Sequence, residues 1–372
     1  MKFEGSTQMK IADIIKILED FAPLALQENY DNSGLQCGRR DAEINKVLLT
    51  LDVTESVVDE AVMLGCKLII SHHPVIFKPL KGLTGSTISE RVIIKAIQHD
   101  IGIYSSHTNL DNAFGGVNFA IANKLGLTDI RILNPMVGNL RQLTVYSPLA
   151  ATEKVLNALN DAGAGQIGNY KDCSFRIKGT GTFTPNEDAN PAVGVSGKKE
   201  EVDEDRIEVI FPAFIESKIL GAMFKAHPYE EVAYHVTELK NANQSCGSGA
   251  VGFLGQEMSQ EEFLLYIKNK LSLDTIKYTS FEGKIRKVAV CGGSGSFLLN
   301  KAMAEKATAF VSSDFKYHEY FDADNKILIA DIGHFESEVC TKDLFYDILT
   351  KKLPNIAILF STINTNPIKY YH

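Results

Sequence analysis

Short apolar runs that alternate with amphipathic helical segments are the feature that most restricts the fold of this chain. Residues 47–52 (VLLTLD), 67–71 (KLIIS) and 101–105 (IGIYS) are strand-like, while 88–100 (ISERVIIKAIQHD) repeats its apolar residues at helical spacing. The same alternation resumes after residue 250. Strands that are separated by helices form parallel sheets covered on both faces. The sequence therefore predicts an α/β protein built around a mainly parallel sheet.

The pattern changes between residues 138 and 245. This segment reads as strand, helix, strand, strand, helix and strand, which is the order of a ferredoxin-like domain. Turn-rich stretches, NPMVGN before it and NANQSCGSG after it, mark its borders. We therefore expect a discontinuous α/β domain made of residues 1–137 and 246–372, with an inserted β-α-β-β-α-β domain at 138–245.

Charge and apolar content disfavour several classes of partner. A net charge of −8 over 372 residues, without a basic stripe, argues against nucleic acid. No apolar run approaches the roughly 18 residues that a membrane helix needs, and the first residues lack the apolar core of a signal peptide. The six cysteines form no CxxC pair, which is typical of free thiols in a reducing compartment. We expect a cytoplasmic protein with no membrane partner.

Histidine follows three of the predicted strands, and in two cases a carboxylate stands four residues later. The residues are His72 and His73 after 67–71, His107 and Asp111 after 101–105, and His334 and Glu338 after 327–331. If the strands are parallel neighbours, these side chains meet at one edge of the sheet. Imidazole and carboxylate together suit zinc, iron, manganese or nickel. The pattern predicts a divalent-metal site.

The pair His72 and His73 favours two metal centres over one. Consecutive side chains of an extended chain point to opposite sides, so a single centre would hardly use both histidines. Two nearby centres could take one each and share a bridging carboxylate. His334 and Glu338 lie on one face if a helix begins at residue 334. Each element alone is also compatible with a surface pair or a turn, and the coincidence of all three favours metal.

A glycine-rich stretch is a second candidate binding segment. It follows a predicted strand, opens a predicted helix and consists of Gly292, Gly293, Ser294, Gly295 and Ser296. Backbone N–H groups at the start of a helix can bind phosphate. The stretch lacks the Gly-Lys-Ser/Thr of a Walker A loop and the full GxGxxG spacing. A tight turn is the alternative interpretation.

Eight motifs in order along nearly the whole chain resemble one protein family. Among them are NYDNSGLQCG (29–38), SHHPVIFKPLK (71–81), YSSHTNLDNAFGGVN (104–118), CGGSGSF (291–297) and DIGHFESE (331–338). The chain resembles the GTP cyclohydrolase 1 type 2 homologues, also called Nif-three-like proteins. It is similar to the longer members of that family, whose inserted domain resembles the PII and CutA proteins.

The resemblance implies a dinuclear site with two divalent metal ions per chain, for which zinc, iron and manganese are candidates. Carried over by position, the ligands would be His73 and Asp111 for one metal, His72 and His334 for the other, and Glu338 as the bridge. His107 would be a further ligand or a catalytic proton donor. The resemblance also implies a ring-shaped homohexamer.

The family's name implies a small-molecule substrate, GTP, whose guanine imidazole ring would be opened by hydrolysis. A metal pair could support this reaction because metal binding lowers the pKa of water, and His107 could shuttle protons. Two other functions stay open. One is a different two-metal hydrolase, such as a phosphoesterase, and the other is a non-enzymatic, metal-binding hexameric scaffold or regulator.

Overall fold

The structure is a computed structural model that describes residues 9–353 and 355–371. The chain divides into two compact units: one runs to Asn134 and resumes at Cys246, and the other is Pro135–Ser245. The N-terminal stretch without an apolar core falls mostly on residues 1–8, which lie outside the described residues. None of the helices in the described part of the chain combines the length and the apolar character that crossing a membrane requires.

The N-terminal part of the first unit alternates strands and helices, as its apolar pattern predicts. Its strands are β1 (Met9–Lys10), β2 (Gly34–Cys37), β3 (Glu43–Ile44), β4 (Lys46–Thr50), β5 (Leu68–Ser71), β6 (Gly102–Ser105) and β7 (Thr128–Met136). Its helices are α1 (Ile11–Phe21), α2 (Glu55–Leu64), α3 (Ile88–Gln98), α4 (Thr108–Asn112) and α5 (Val117–Lys124), with a 3-10 turn at Leu24–Leu26.

The second unit is a four-stranded antiparallel sheet with two helices. Its elements are β8 (Leu140–Pro148), α6 (Thr152–Asp161), β9 (Phe175–Phe183), β10 (Glu200–Pro212), a 3-10 turn (Ala213–Ile215), α7 (Glu216–Ala226) and β11 (Tyr234–Leu239). The strand order is β11-β8-β10-β9. Alternate residues such as Val145, Ile207 and Val209 form a core with the apolar sides of α6 and α7. This unit therefore has a hydrophobic core of its own.

The C-terminal part returns to the first unit. Its strands are β12 (Asn243–Met258), β13 (Lys277–Tyr278), β14 (Ile285–Ser294), β15 (Ala309–Ser313), β16 (Leu328–Asp331) and β17 (Ala357–Phe360). Its helices are α8 (Gln260–Leu271), α9 (Leu299–Ala304), α10 (His334–Glu338) and α11 (Thr341–Thr350), with 3-10 segments at Ser296–Leu298 and Tyr317–Ala323.

One sheet of the first unit is mostly parallel. Its order is β17-β4-β5-β6-β2, and only the pairing of β2 with β6 is antiparallel. Leu48, Ile69 and Ile103, from its three central strands, are completely buried. They pack with Val57 of α2 and Val92 of α3 in one apolar cluster. Continuous apolar runs such as LIIS are what a parallel strand with helical cover requires.

A second, six-stranded sheet lies in the same unit, with the order β13-β16-β15-β14-β12-β7. Its strands β14, β15 and β16 are parallel, whereas β12 and β13 pair with it in the antiparallel direction. The expectation of one mainly parallel sheet is therefore wrong in detail. Apolar periodicity identifies buried strands, but it does not say which strands become neighbours.

Candidate metal centre

Strands β5 and β6 place three histidines at the carboxyl edge of the first sheet. The strands are parallel neighbours with Ser71 opposite Ser105, and the hydroxyl oxygens of these serines lie 2.9 Å apart. His72 and His73 follow the first serine, and His107 comes two residues after the second. The ring centres of His72 and His107 are 5.2 Å apart. Sheet register thus brings together residues that are separate in the chain.

The second sheet supplies the other imidazole and the central carboxylate. Strand β16 leads through Gly333, whose φ of 92° is a left-handed conformation that favours glycine, into the short helix α10. His334 and Glu338 are four residues apart on this helix, and His334 Nε2 lies 3.0 Å from Glu338 Oε2. The side chains therefore converge from two sheets, not from one sheet edge as the strand ends suggested.

The carboxylate of Glu338 lies between two groups of side chains. Its Oε2 is 2.9 Å from His73 Nε2, and that nitrogen is 3.2 Å from His334 Nε2. Its Oε1 is 3.7 Å from His72 Nε2, which is itself 3.7 Å from Asp111 Oδ1. Within each group, the ligand atoms lie within 4.8 Å of one another. Each group could therefore hold a metal ion, and Glu338 belongs to both.

The grouping of the histidines differs from the one that the resemblance implies. His73 stands with His334, and His72 stands with Asp111, so the two histidines exchange partners relative to the expected sets. The reason is local. The carbonyl of Ser106 holds His72 Nδ1 at 2.8 Å, which turns the other ring nitrogen toward Asp111. Asp52 holds His73 Nδ1 at 2.7 Å, and His73 Nε2 faces His334 and Glu338 of α10.

His107 forms a third group with His72 and His73. Its Nδ1 lies 2.7 Å from Asp31 Oδ1. The same aspartate accepts hydrogen bonds from the backbone and hydroxyl of Thr108 at 3.0 and 2.5 Å. Asp31 thus fixes the ring of His107, and its interactions with His107 outweigh the effect of burial and lower the pKa of Asp31. His107 is positioned beside both candidate metal groups.

Aspartate carboxylates lie within hydrogen-bond distance of the Nδ1 atoms of three of the four histidines, and the sequence did not lead us to predict these aspartates. Asp52 Oδ1 lies 2.7 Å from His73 Nδ1, Asp314 Oδ2 lies 2.5 Å from His334 Nδ1, and Asp31 holds His107. A carboxylate on the second nitrogen fixes the tautomer and direction of a metal-binding histidine. The sequence did contain a signal for two of these aspartates. Asp52 and Asp314 each come just after a strand of the two sheets, as the candidate ligands do.

Burial and charge set the protonation of the cluster. Burial, reinforced by repulsion from Glu338, raises the pKa of Asp111 to about 8. Burial also opposes ionisation of Glu338, but the electrostatic attraction of the neighbouring His72 and hydrogen bonds from His334 and His73 outweigh it and hold the pKa of Glu338 well below its ordinary value. Hydrogen bonds to Asp52 and Glu338 overcome burial and raise the pKa of His73 to about 10. In the absence of a bound cation, the raised pKa values of Asp111 and His73 therefore favour the protonated forms of both side chains.

Two backbone N–H groups of the glycine-rich stretch Gly292 to Ser296 donate hydrogen bonds within the protein. Strand β14 continues through Ser294, and the helix predicted to start there is a 3-10 turn followed by the six-residue α9. The N–H of Gly292 donates to Asn118 Oδ1, and that of Gly293 donates to Ser337 Oγ, both at 2.9 Å. These two N–H groups are therefore already satisfied and tie β14 to α5 and α10, while anion binding by the stretch as a whole stays a prediction.

Comparison with known proteins covers nearly the whole chain. The sequence profile of the Duf34/NIF3 family (NGG1p interacting factor 3) matches residues 9–367. A Halalkalibacterium halodurans protein named GTP cyclohydrolase 1 type 2 homolog is 40% identical over 97% of this chain and 100% of its own length. A Bacillus subtilis protein of the same name is 38% identical over 96% and 97%. The crystal structure of a Bacillus cereus protein related to NIF3 is 38% identical, with a TM-score of 0.86 over 98% of this chain and 100% of that one.

Proposed function

This chain belongs to the Duf34/NIF3 family, and on that basis we propose that it is a hydrolase that depends on two divalent metal ions. One ion would be held by His72 and Asp111, the other by His73 and His334, with Glu338 shared by both. The proposal rests on the position of the Glu338 carboxylate: its Oε1 faces the first group and its Oε2 faces the second. A shared carboxylate of this kind suits a metal pair.

The residues present fit such a pair. His72 Nε2 and Asp111 Oδ1 are buried, and neither has a hydrogen-bond partner among the described residues. A buried polar atom without a partner is costly, and a bound cation removes that cost for both atoms. Imidazole and carboxylate donors suit zinc, iron or manganese. The carboxylates behind His73 and His334 orient their rings in the way that metal-binding histidines require.

When bound, a divalent metal pair lowers the pKa of water and polarises the bond under attack. The chain's own contribution is to place the reacting groups and to move protons. His107, held by Asp31 through Nδ1, presents its remaining ring nitrogen beside both groups and would transfer a proton to or from the substrate there. Glu338 is only 2% exposed, so its charge acts without much screening by solvent.

GTP is the proposed substrate, because the relatives from Halalkalibacterium halodurans and Bacillus subtilis carry the name GTP cyclohydrolase 1 type 2 homolog. Addition of one water molecule across the C8–N9 bond of guanine would open the imidazole ring and leave a formyl group on N7. A second water molecule would release formate. A proton must reach the departing nitrogen in the first step, and His107 is the group placed to deliver it.

The proposal extends to assembly and location. From the resemblance stated above we propose a cytoplasmic homohexamer, with the insert at 138–245 as a PII/CutA-like domain. Light scattering coupled to size-exclusion chromatography of the metal-loaded protein measures the assembly directly. A mass of six chains of 41.0 kDa each is expected. A monomer at micromolar concentration contradicts the hexamer and leaves the proposed reaction unaffected.

The deciding experiment incubates the protein, loaded separately with zinc, iron(II) or manganese, with GTP and with a panel of other nucleotides. Products are identified by mass spectrometry. A formylated ring-opened nucleotide or dihydroneopterin triphosphate supports the proposal. Nucleoside monophosphate or diphosphate identifies a phosphoesterase instead. No turnover with any metal or nucleotide contradicts a nucleotide hydrolase. Glu338→Gln should abolish the products, whereas Glu336→Gln on the same short helix should not.

A further inference from the structure

Two exposed aromatic rings lie beside the candidate metal centre. The side chains of Tyr30 and Phe77 are 65% and 45% exposed, and their ring centres are 6.3 Å apart at an interplanar angle of 56°. The rings of Phe77 and His107 are arranged edge to face, with their centres 6.2 Å apart. His107 in turn lies 5.2 Å from His72 and 5.5 Å from His73. The aromatic pair is therefore separated from the metal-binding histidines by one ring.

The pair is held in place by polar contacts of its neighbours in sequence. Asn32 Nδ2 donates to the carbonyl of Ile76 at 2.6 Å, which ties the segment after Tyr30 to the residue before Phe77. Gln36 Oε1 accepts the N–H of the same isoleucine at 3.2 Å, and Gln36 Nε2 donates to the carbonyl of Asn32 at 2.7 Å. The backbone segments that carry the two rings thus belong to one hydrogen-bonded framework, and a fixed backbone reduces the entropy lost when a ligand binds.

We propose that Tyr30 and Phe77 form a stacking platform that selects substrates with a planar heteroaromatic ring and holds that ring at the metal centre. This inference rests on the proposed function and adds to it the residues that select and hold the ring of the substrate. Large rings left exposed next to a polar site offer flat apolar faces, and aromatic faces attract other π-systems in offset or tilted geometries. Stacking of a nucleobase on an aromatic side chain is sequence-tolerant and contributes substantially to binding.

The platform predicts a difference between a nucleotide and the same phosphate chain without its base. Binding to the metal-loaded protein is measured by calorimetry with GTP, ATP, CTP and UTP, and with inorganic triphosphate as the ligand that lacks a ring. Tyr30→Ala and Phe77→Ala should each weaken binding of the purine nucleotides by about tenfold or more. Both variants should leave the affinity for triphosphate within about twofold, because their metal ligands are intact.

Three further variants separate stacking from other causes. Phe77→Leu keeps apolar bulk without a π-system and should lose most of the nucleotide affinity, whereas Tyr30→Trp should keep it. Tyr346→Ala removes a ring of another exposed pair, Tyr346 with Phe360 at 5.3 Å, and should change nothing. Equal loss of nucleotide and triphosphate binding in Tyr30→Ala and Phe77→Ala overturns the inference. So does wild-type protein that binds triphosphate as tightly as every nucleotide, or that binds no nucleotide at all.

Binding and turnover are read separately, so that two failures stay distinct. Nucleotide binding that depends on both rings, without any hydrolysis, contradicts the proposed function and supports the platform. Hydrolysis of GTP with unchanged affinity in both alanine variants supports the function and overturns the platform.

Discussion

Gly293 lies directly against the carboxylate of Glu338: a Cβ atom at Gly293 would stand 2.3 Å from Glu338 Oε1. The backbone at Gly293 also has a φ of 59°, which is left-handed. The conformation favours glycine at this position, and the close approach to Glu338 leaves no room for a Cβ atom. The carboxylate shared by the two groups of the candidate metal centre therefore packs directly against the backbone of Gly293.

Gly293→Ala should displace Glu338 and lower the metal content. A left-handed alanine costs about 1–2 kcal/mol of stability, and the added methyl group pushes Oε1 away from its group. Elemental analysis and denaturant unfolding measure the two effects. Gly168→Ala is the matched control, because Gly168 has a similar φ of 56° and a Cβ there meets no atom within 4 Å. A Gly293→Ala protein with full metal content would show that the contact is not restrictive.

Glu338→Gln should lose metal from both groups at once. The substitution keeps the size of the side chain and removes the negative charge that two cations share. Metal stoichiometry and circular dichroism are compared with Glu336→Gln, whose neighbouring carboxylate accepts a hydrogen bond from Asn366 and touches neither group. Retention of two ions by Glu338→Gln would mean that Glu338 is an ordinary helix residue.

Double variants test the pairing of the histidines. Because His72 shares a group with Asp111, adding Asp111→Asn to His72→Ala should cost little more metal than His72→Ala alone. Adding His334→Ala to His72→Ala should instead remove both ions, since the two residues belong to different groups. Metal-to-protein ratios at saturation decide the matter. The opposite result restores the pairing of His72 with His334 that the resemblance implied.

Asp52→Asn should weaken metal binding about 10- to 100-fold without removing a ligand. Asp52 accepts a hydrogen bond from Thr365 Oγ1 at 2.6 Å and lies 2.7 Å from His73 Nδ1. Loss of the carboxylate charge weakens its hold on the imidazole, which is then free to rotate. Competition with a chelator measures the affinity. Asp59→Asn, which alters an exposed partner of Lys95, serves as the control and should have no effect.

Glu60 gives the fold a dependence on acid. This buried carboxylate accepts hydrogen bonds from Ser361 Oγ at 2.5 Å and from the backbone and hydroxyl of Thr362 at 2.9 and 2.6 Å. Burial raises its pKa, but these hydrogen bonds outweigh burial and leave the pKa below the ordinary 4.5. A lowered pKa in the folded state means that this stability is complete above about pH 4.5 and is lost as the pH falls further.

Glu60→Gln should therefore destabilise the protein at pH 7 by about 1–3 kcal/mol, the usual contribution of hydrogen bonds to a charged group. The difference between the two proteins should shrink as the pH drops below 4.5. Denaturant unfolding between pH 3 and 7 gives both curves. Parallel curves at all pH values would show that the ionised state of Glu60 contributes nothing to stability.

Apolar pattern and family resemblance predicted much of this molecule. Runs such as VLLTLD and the spacing of Val117–Lys124 mark buried elements because burial leaves a periodic trace in one segment at a time. The motifs around His72 and Glu338 identified the family, and the comparisons confirm it. The proximity of His72 to Asp111 was not predictable, because the direction of the His72 ring depends on the carbonyl of Ser106, a backbone group without a sequence signal.

The residues that orient the site were missed for a related reason. Asp31, Asp52 and Asp314 are common residue types at strand ends and in turns, where they also cap and turn the chain. Their positions near strand ends mark two of them, but only their distance to a histidine nitrogen shows that they orient the site, and that distance follows from which strands are neighbours within each sheet. The engagement of Gly292 and Gly293 by Asn118 and Ser337 likewise depends on partners far away in sequence.

His73 and Glu338 meet across 265 residues of chain, and this separation affects how the protein is made. At roughly 5–20 residues per second, a ribosome needs on the order of tens of seconds to pass from one to the other. The segment Pro135–Ser245, which has its own core, is completed within that interval. During synthesis, the first histidines therefore emerge long before their partners on α10. The full set of candidate metal ligands exists only when translation is nearly finished, so the proposed metal pair requires a chain that is nearly or completely synthesised.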